Sequence, residues 1–207
     1  ATQNPKKLKE MSAILGELGV EVVSEADLGV KIEVEETGET FAENSLLKAK
    51  AVMEATKLPA IADDSGLCVD ALNGGPGVYS ARFGGEGLDD TGRYRLLLQM
   101  LHGQADRRAH FHTTITCAFP NGDVLQDDGE VEGTIAFAPM GENGFGYDPV
   151  FFVPDKRKTF AQLTAEEKAE ISHRGKALRA FKETLKNYLA GALKPVGQAL
   201  YLSLIHI

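Results

Sequence analysis

Two adjacent carboxylates, Asp63 and Asp64, are the side chains of this sequence that are best placed to do chemistry. They stand in Ala62-Asp63-Asp64-Ser65-Gly66, after the apolar run Leu58–Ala62, which is typical of a short buried strand. A side chain at the end of such a strand commonly lies at the mouth of a cleft. Paired carboxylates there could hold a metal ion or take a proton from water. Taken alone, such a pair is more often part of a turn or a cap, so other segments must support the interpretation.

A second acidic segment strengthens the interpretation of Asp63 and Asp64 as functional carboxylates. Glu35 and Glu36, followed by Thr37-Gly38, could complete a carboxylate cluster with Asp63 and Asp64 if the two segments converge. Mg²⁺ prefers a few carboxylates together with phosphate oxygens, so an acidic cluster with open positions suits this ion. Without the other motifs, Glu35 and Glu36 would be part of an ordinary solvated loop.

The N-terminal segment Thr2–Lys7 is typical of an anion site. Asn4 followed by Pro5 predicts a helix N-terminus, with Asn4 as the cap and Pro5 at the first helical position. Free backbone N–H groups and the helix dipole favour an anion there, and Lys7 would add a positive charge on the first turn. On its own, Asn4 would be only a cap and Lys7 a surface lysine.

Capping signals and periodicity predict the elements that must position these residues. The predicted helices are Asn4–Gly19, Thr40–Thr56 with Leu46, Ala49 and Met53 facing inward, Thr91–Leu101, a helix starting at the capping box Thr164–Glu167, and a final helix that Ser172 caps. The predicted strands are Val20–Val23, Ala60–Ala62, Leu67–Val69, a hairpin of His110–Phe119 and Val124–Ile135 with its turn at Asn121-Gly122, and Val150–Val153. In this reading the acidic pair lies in a turn between two strands. Strands mixed with helices predict one α/β domain over residues 1–190, with the hairpin region as a second lobe.

Composition narrows the class of protein. The chain has 207 residues, of which 43% are hydrophobic and 25% charged, as in an ordinary globular domain. A net charge of −8 argues against a nucleic-acid partner, because phosphate backbones are held by basic surfaces. No apolar run is long enough to span a bilayer, which argues against a membrane partner. Cys68 and Cys117 lie in apolar, strand-like surroundings, so we expect packed thiols in a reducing, cytoplasmic setting.

Several well-known kinds of active site are absent from the sequence. No G-x-x-x-x-G-K-[ST] loop is present, and no G-x-G-x-x-G follows a strand, which excludes the common nucleotide-binding loops. Ser65 lacks the G-x-S-x-G elbow of a nucleophilic serine. Metal-assisted attack by water is the chemistry that remains.

Both ends of the sequence prompt separate expectations. The Thr2 motif should follow a strand, and the chain begins at Ala1, so we expect the first strand of the sheet to be missing. Residues 191–207 would form a tail, and Leu202–Ile207 match one reading frame of a sequencing adapter. We therefore expect those last residues to contribute neither to stability nor to activity.

Together the motifs resemble those of the inosine triphosphate pyrophosphatase family, which acts on deaminated purine nucleotides. The shared motifs are A-T-x-N-x-x-K, E-E-T-G-x-T-F-x-E-N, A-D-D-S-G-L, F-G-Y-D-P-x-F and S-H-R-G-x-A, and they run from Ala1 to about Leu189. The resemblance implies an elongated, two-lobed α/β fold with a mixed sheet and the nucleotide in the cleft between the lobes. It also implies a homodimer and a reaction that converts ITP, dITP or XTP and water into the monophosphate and pyrophosphate.

The resemblance further implies a role for each residue of the motifs. Thr2, Gln3, Asn4, Pro5, Lys6 and Lys7 would hold the triphosphate. Asp64 would be the catalytic base and a Mg²⁺ ligand, with Glu35 as the second ligand and Asp63 as a nearby support. Ser65 and Lys168 would contact the substrate, Phe145 would stack on the purine, Gly146, Tyr147 and Asp148 would form the base pocket, and His173 and Arg174 would read the purine edge.

Elementary chemistry agrees with these roles in part. Phe145 offers a ring face on which a base can stack. Arg174 has only hydrogen-bond donors, which suits a 6-oxo group and leaves the 6-amino group of adenine unpaired. Guanine also carries a 6-oxo group, so Arg174 alone does not explain how guanine would be excluded.

Two alternatives stay open at this point. One is a Maf-like nucleotide pyrophosphatase with a different base preference, and the other is a nucleotide-binding module without turnover. The Phe145–Asp148 and Ser172–Arg174 motifs favour the first reading over the Maf-like one. The pairing of Glu35 with Asp64 argues against a mere binding module, because binding alone needs no general base.

Overall fold

The computed structural model describes residues 5–192 and 201–206 as a mixed α/β structure. Its α-helices are α1 (Pro5–Gly16), α2 (Phe41–Thr56), α3 (Asp90–Met100), α4 (Ala165–Ile171) and α5 (His173–Ala192). Its strands are β1 (Glu21–Ser24), β2 (Ala60–Val69), β3 (Gly75–Pro76), β4 (Arg108–Ala118), β5 (Val124–Ile135), β6 (Phe151–Val153), β7 (Lys158–Thr159) and β8 (Tyr201–His206). The predicted fold class and the predicted helices are confirmed, with boundaries that shift by one to three residues. Asn4, the predicted cap of α1, lies outside the described residues.

The strands form one mixed sheet in the order β1-β8-β2-β4-β5-β6-β7, and β3 pairs with β2 outside this path. β8 runs parallel to both β1 and β2, whereas β6 is antiparallel to β5 and β7 is antiparallel to β6. The hairpin of β4 and β5 turns where it was predicted to. The Phe119 N–H donates to Asp123 O at 2.9 Å, and Gly122 supplies the positive φ of 93° that the turn requires.

The acidic pair lies inside a strand, and the predicted turn at Asp63–Gly66 is wrong. β2 is continuous over Ala60–Val69, and its residues from Ala60 to Asp63 pair with β8. Long-range strand pairing of this kind satisfies the backbone and overrides the local turn preference of Asp-Asp-Ser-Gly. Successive side chains of a strand point to opposite faces, so Asp63 and Asp64 face opposite sides of the sheet, and both are buried.

Contacts divide the described chain into two units. The first contains the described residues up to Asp64, then Thr113–Gly129, and the described residues from Ala177 onward. The second contains Ser65–His112 and Glu130–Lys176. The sequence had suggested that the hairpin region forms a lobe of its own. The hairpin is instead divided between the two units, because its turn half belongs to the first unit and its base half to the second.

Apolar faces of two helices build the core of the first unit. Met11 and Leu15 of α1, and Leu178, Phe181 and Leu185 of α5, are fully buried, and their spacing of three or four residues places each set on one helix face. Helix α2 differs from the prediction, because its buried face consists of Asn44, Ser45, Lys48, Ala49 and Val52. Leu46 and Met53 are only partly buried. A helix that buries an asparagine, a serine and a lysine must supply each of them with polar partners.

An aromatic cluster organises the core of the second unit. The rings of Phe111 and Phe151 lie 4.6 Å apart between centroids, and those of Phe151 and Phe160 lie 4.9 Å apart. The imidazole of His173, at the start of α5, stacks on Phe111 with a centroid distance of 4.7 Å. The cluster thereby sets the orientation of one of the predicted site residues.

Two expectations from composition concern the cysteines and the membrane. Cys68 and Cys117 are free thiols, and both are buried, as predicted. Among the described helices, none has the length and apolarity that crossing a membrane requires.

The position of β8 generates a prediction that contradicts the expectation for the tail. Leu204 pairs with Ser24 of β1 and Ile61 of β2, so its backbone lies in the interior of the sheet. We expect Leu204→Pro to lower the melting temperature by roughly 5 °C or more, because proline removes a donor and disrupts a central strand. Leu204→Val is the matched control. Equal melting temperatures for the two variants and the wild type would show that the tail is dispensable, as its adapter-like sequence suggests.

Candidate active site

A buried lysine organises the carboxylates of the first unit. The side chain of Lys48, on α2, is completely buried, and its Nζ donates to Glu36 Oε1 at 2.8 Å and to Asp64 Oδ1 at 3.3 Å. The sequence analysis missed Lys48, although its spacing of four residues from Asn44 places both on one helix face. A lysine in a run of Leu, Ala and Lys looks like a surface residue until the partners of that face are known.

Local structure explains how Glu36 reaches this lysine. Thr40 caps α2 by accepting from the Glu43 N–H at 3.1 Å, and Asn44 Oδ1 accepts from the Gly38 N–H at 2.8 Å. A Cβ atom on Gly38 would come within 2.6 Å of Asn44 Oδ1, so only glycine fits this close approach. The cap and the Gly38–Asn44 bonds together hold the segment that carries Glu36 against the start of α2.

The structure brings Glu36, and not Glu35, to the cluster. Residues 31–38 alternate between exposed and half-buried positions, and Glu35 falls on the exposed side. Adjacent side chains of an extended segment point in opposite directions, so only one of the two glutamates can face Lys48. Glu36 therefore contacts Lys48, whereas Glu35 is exposed, and its role as a metal ligand, implied by the resemblance, stays a prediction.

Burial and the attraction between Lys48 and Asp64 act in opposite directions on the pKa values of both groups. Burial raises the pKa of Asp64 to about 6, an effect that Lys48 opposes and Glu36 reinforces. Burial disfavours the charged form of Lys48, but Asp64, Asp63 and Glu36 outweigh this and raise its pKa. Asp64 Oδ2 is buried and meets no hydrogen-bond partner among the described residues. That oxygen can therefore accept a proton or bind a cation.

The carboxylates fit a metal ion that takes few protein ligands. No group of three His, Cys, Asp or Glu side chains in the described ranges could hold a metal ion by itself. Mg²⁺ is commonly held by one or two carboxylates, with phosphate oxygens and water completing its shell. Asp64 and Glu36 are the donors available for such an ion, whereas Asp63 faces the other side of β2.

A pocket of about 210 Å³ lies within the second unit. It is lined by eight residues predicted to contact a substrate, namely Ser65, Phe145, Gly146, Tyr147, Asp148, Lys168, His173 and Arg174. Pockets that hold drug-sized ligands have volumes of about 300–1,000 Å³. This pocket is smaller, so it suits a single ring system. The predicted base pocket is thus assembled from residues that lie more than a hundred positions apart in the sequence.

Asp148 anchors one wall of this pocket. Its carboxylate is buried and accepts from Lys168 Nζ at 2.5 Å and from the Phe145 N–H at 3.1 Å. Burial raises the pKa of Asp148, whereas Lys168 and Arg174 oppose that shift. A Cβ atom on Gly144, whose φ is +76°, would come within 2.0 Å of Asp148 Oδ2. Glycine at this position lets the loop close over the carboxylate.

Phe145 presents a half-exposed ring with two cations over it. Its side chain remains 49% exposed, while Lys168 Nζ lies 4.8 Å and Arg174 Cζ lies 5.9 Å from the ring centroid. Tyr147 is buried and donates its hydroxyl to Ser80 O at 2.6 Å. Tyr147 therefore shapes the wall, and the groups with donors near the exposed ring are Lys168 and Arg174.

Helix α3 contributes residues to the pocket that the sequence analysis missed. Asp90 and Arg93 of α3 line it together with the predicted set, as does Ser80 from the short 3-10 helix Gly77–Arg82. Asp90 Oδ2 accepts from the Gly146 N–H at 2.8 Å, which ties the first turn of α3 to the loop of Phe145. No local signal distinguishes these residues from ordinary helix and turn residues, because their role depends on a partner 56 positions away.

The segment predicted to bind phosphate, Thr2–Lys7, is described only in part. Thr2, Gln3 and Asn4 lie outside the described residues, and Pro5, Lys6 and Lys7 are described only as part of the backbone of α1. Their assignment to a triphosphate stays a prediction.

The raised pKa of Asp64 generates a prediction about stability. Because this pKa lies near 6 in the folded protein, against 3.8 for an ordinary aspartate, ionising Asp64 costs stability as the pH rises from 3.8 to about 6. Asp64→Asn resembles the protonated acid, and Lys48 keeps Glu36 as a partner. In a chelator-containing buffer, we expect the melting temperature of the variant, relative to wild type, to be most favourable near about pH 7.5 and to decline towards about pH 4.5. Asp155→Asn, at an exposed position, is the control, and a pH-independent difference for Asp64→Asn would contradict the assignment.

Comparison with known proteins identifies the family of the chain. The Ham1 family model matches residues 1–184. The dITP/XTP pyrophosphatase of Thermus thermophilus is 50% identical over 188 residues, covering 90% of this chain and 90% of that protein. The dITP/XTP pyrophosphatase of Exiguobacterium sp. is 48% identical over 191 residues, covering 92% of this chain and 97% of that protein.

Solved structures give the same result at the level of the fold. A HAM1 protein from Coxiella burnetii superposes with a TM-score of 0.85 at 42% identity, covering 90% of this chain and 96% of that one. The family predicted from the motifs is thereby confirmed. This chain belongs to the Ham1 family.

Proposed function

We propose that the protein hydrolyses deaminated purine nucleoside triphosphates, ITP, dITP and XTP, to the monophosphate and pyrophosphate with the help of Mg²⁺. The observation that carries the proposal is the pocket of the second unit, in which an exposed phenylalanine ring stands beside cations that can only donate hydrogen bonds. The names of the relatives, dITP/XTP pyrophosphatase, support the same substrate class. Such an activity would remove deaminated purines before a polymerase incorporates them.

The pocket would hold the base. Stacking on Phe145 would contribute on the order of 1–3 kcal/mol for any purine, since every base has a ring face. Arg174 would donate to the 6-oxo group, and adenine would leave that buried donor without an acceptor. Lys168, held by Asp148 at 2.5 Å, keeps a defined position beside the ring and would contact the substrate there.

The cluster around Lys48 would carry out the hydrolysis. Asp64 would accept the proton of the water molecule that attacks the α-phosphorus, and pyrophosphate would leave. Lys48 orients Asp64 through Oδ1, which leaves Oδ2 available for that role. Mg²⁺, when bound, would neutralise the charge on the phosphates, and Asp64 and Glu36 would hold it. Asp64 and Ser65 are consecutive in β2, so the same strand supplies the base and one residue of the pocket.

The remaining roles follow from the resemblance. Thr2–Lys7 would bind the triphosphate at the N-terminus of α1. The homodimer and the cytoplasmic location implied by the resemblance are part of the proposal, and light scattering of the purified protein tests the first of them.

The direct test measures pyrophosphate released from ITP, XTP, dITP and ATP, each with Mg²⁺ and with excess EDTA. We expect pyrophosphate from the first three at rates at least tenfold above ATP, and none with EDTA. Equal rates on ATP would favour a pyrophosphatase of different base preference, and binding without release would indicate a non-catalytic module.

The role of Asp64 generates a prediction about turnover. Asp64→Asn should abolish pyrophosphate release while leaving ITP affinity within about tenfold, because an amide cannot take the proton of the water molecule. Calorimetric titration with ITP measures the affinity, and the release assay measures turnover. Asp155→Asn controls for the loss of one negative charge. Near-native activity of Asp64→Asn at saturating Mg²⁺ would refute the assignment.

The different roles proposed for Phe145 and Arg174 generate a prediction about specificity. Phe145→Ala should weaken ITP and ATP binding by similar factors of about 10 or more, because stacking does not depend on exocyclic groups. Arg174→Ala should instead reduce the ratio of kcat/KM for ITP to that for ATP, because it removes the donor at the 6-position. Losses of equal size for ITP and ATP in Arg174→Ala would exclude a base-reading role for this residue.

A further inference from the structure

Arg174 accounts for the rejection of adenine but not of guanine, since both guanine and hypoxanthine carry a 6-oxo group. The difference between hypoxanthine, guanine and xanthine lies at the 2-position, which carries hydrogen, an amino group and an oxo group respectively. A protein group that reads this position must therefore distinguish a donor from an acceptor. The pocket contains a second guanidinium, that of Arg93, to which the roles described above assign no function.

The structure holds Arg93 in the pocket through its helix. The Asp90–Gly146 hydrogen bond of 2.8 Å joins the first turn of α3 to the loop that carries Phe145. Arg93 lies three residues after Asp90, so the two side chains share one face of the helix. Arg93 and Tyr147 both line the pocket, and the positive charge of Arg93 opposes the rise that burial causes in the pKa of the Tyr147 hydroxyl. Arg93 and Arg174 thus approach the pocket from different helices, α3 and α5.

Arg93 also has donor capacity that the protein does not use. Its Nε is buried and meets no hydrogen-bond acceptor within residues 5–192 and 201–206. Buried donors are nearly always paired, so such a group in a pocket wall is suited to an acceptor on a ligand. Asp90, the acceptor on the same face, is mostly exposed and already accepts from the Gly146 N–H.

We propose that Arg93 reads the 2-position of the purine, favouring XTP over ITP and rejecting GTP. The proposal rests on the proposed function, because it assumes that the pocket holds a purine. Arginine has only donors, so the 2-oxo group of xanthine would accept from it. The 2-amino group of guanine would meet donor with donor and leave both groups without partners. Hypoxanthine, with hydrogen at this position, would fall between the two.

The experiment compares kcat/KM on XTP, ITP and GTP for wild type, Arg93→Met and Arg95→Met. Arg95 is the matched control, since it lies on the same helix with an exposed side chain. In Arg93→Met we expect kcat/KM for XTP to fall about 10- to 100-fold, the effect of one charged hydrogen bond, and that for GTP to rise. The value for ITP should change less than about threefold, and Arg95→Met should behave as wild type.

Two outcomes would overturn the proposal: equal losses on XTP and ITP, or unchanged selectivity in Arg93→Met. If that variant does not fold, inhibition of the wild type by XMP, IMP and GMP decides the question. XMP should then bind at least about tenfold more tightly than IMP, with GMP the weakest, and equal affinities would refute the role. A wild-type protein that hydrolyses neither ITP nor XTP would instead refute the proposed function, so the two failures are distinguishable.

Discussion

The charged contact between Lys48, Glu36 and Asp64 is the interaction on which the first unit's site depends. Burying a lysine costs free energy that two nearby carboxylates can offset only with good geometry. The bonds of 2.8 and 3.3 Å provide that geometry, and they require α2, the segment before it and β2 to meet at one point. Such a buried ion pair is weak evidence that the contact stabilises the fold, because replacing the charged side chains with apolar ones of similar volume often leaves the free energy of unfolding unchanged or raises it. The more direct consequence is chemical, because a desolvated carboxylate with one oxygen held and one available is ready to accept a proton.

In the first unit a buried lysine organises carboxylates, whereas in the second unit a buried carboxylate stands among cations that line the pocket. There the acid, Asp148, is buried, and its Oδ2 accepts from Lys168 and the Phe145 N–H, so it organises the wall. The cations Lys168, Arg174 and Arg93 present donors to the pocket. In the proposed function, such a donor-rich pocket would select bases by the acceptors on their edge, which are the oxo groups that deamination creates. The proton acceptance proposed for the first unit and the base selection proposed for the second both rest on the same rule, that buried polar groups need partners.

Several tight local contacts make these arrangements possible. Gly38 lets Asn44 hold the segment of Glu36, and Gly144 lets the Phe145 loop close over Asp148, in each case where a Cβ atom would collide with a carboxylate or amide oxygen. The caps Thr40 and Ser172 begin the helices that carry Lys48 and His173, and Ser172 Oγ accepts from the Gly175 N–H at 3.0 Å. Small residues and caps thus define the positions of the larger groups that do the chemistry.

The sequence by itself determined the family and the helix starts, and it named eight of the residues that line the pocket. Caps and turn residues act over three or four positions, so Thr40, Thr164, Ser172 and the Asn121-Gly122 hairpin could be read directly. Only the tertiary structure decided that Asp63 and Asp64 lie within a strand, that Glu36 rather than Glu35 faces Lys48, and that Arg93 lines the pocket. Each of these depends on a partner far away in the chain. Strand pairing, burial of a charge and the closing of a loop on a helix are long-range events, and local propensity contains no information about them.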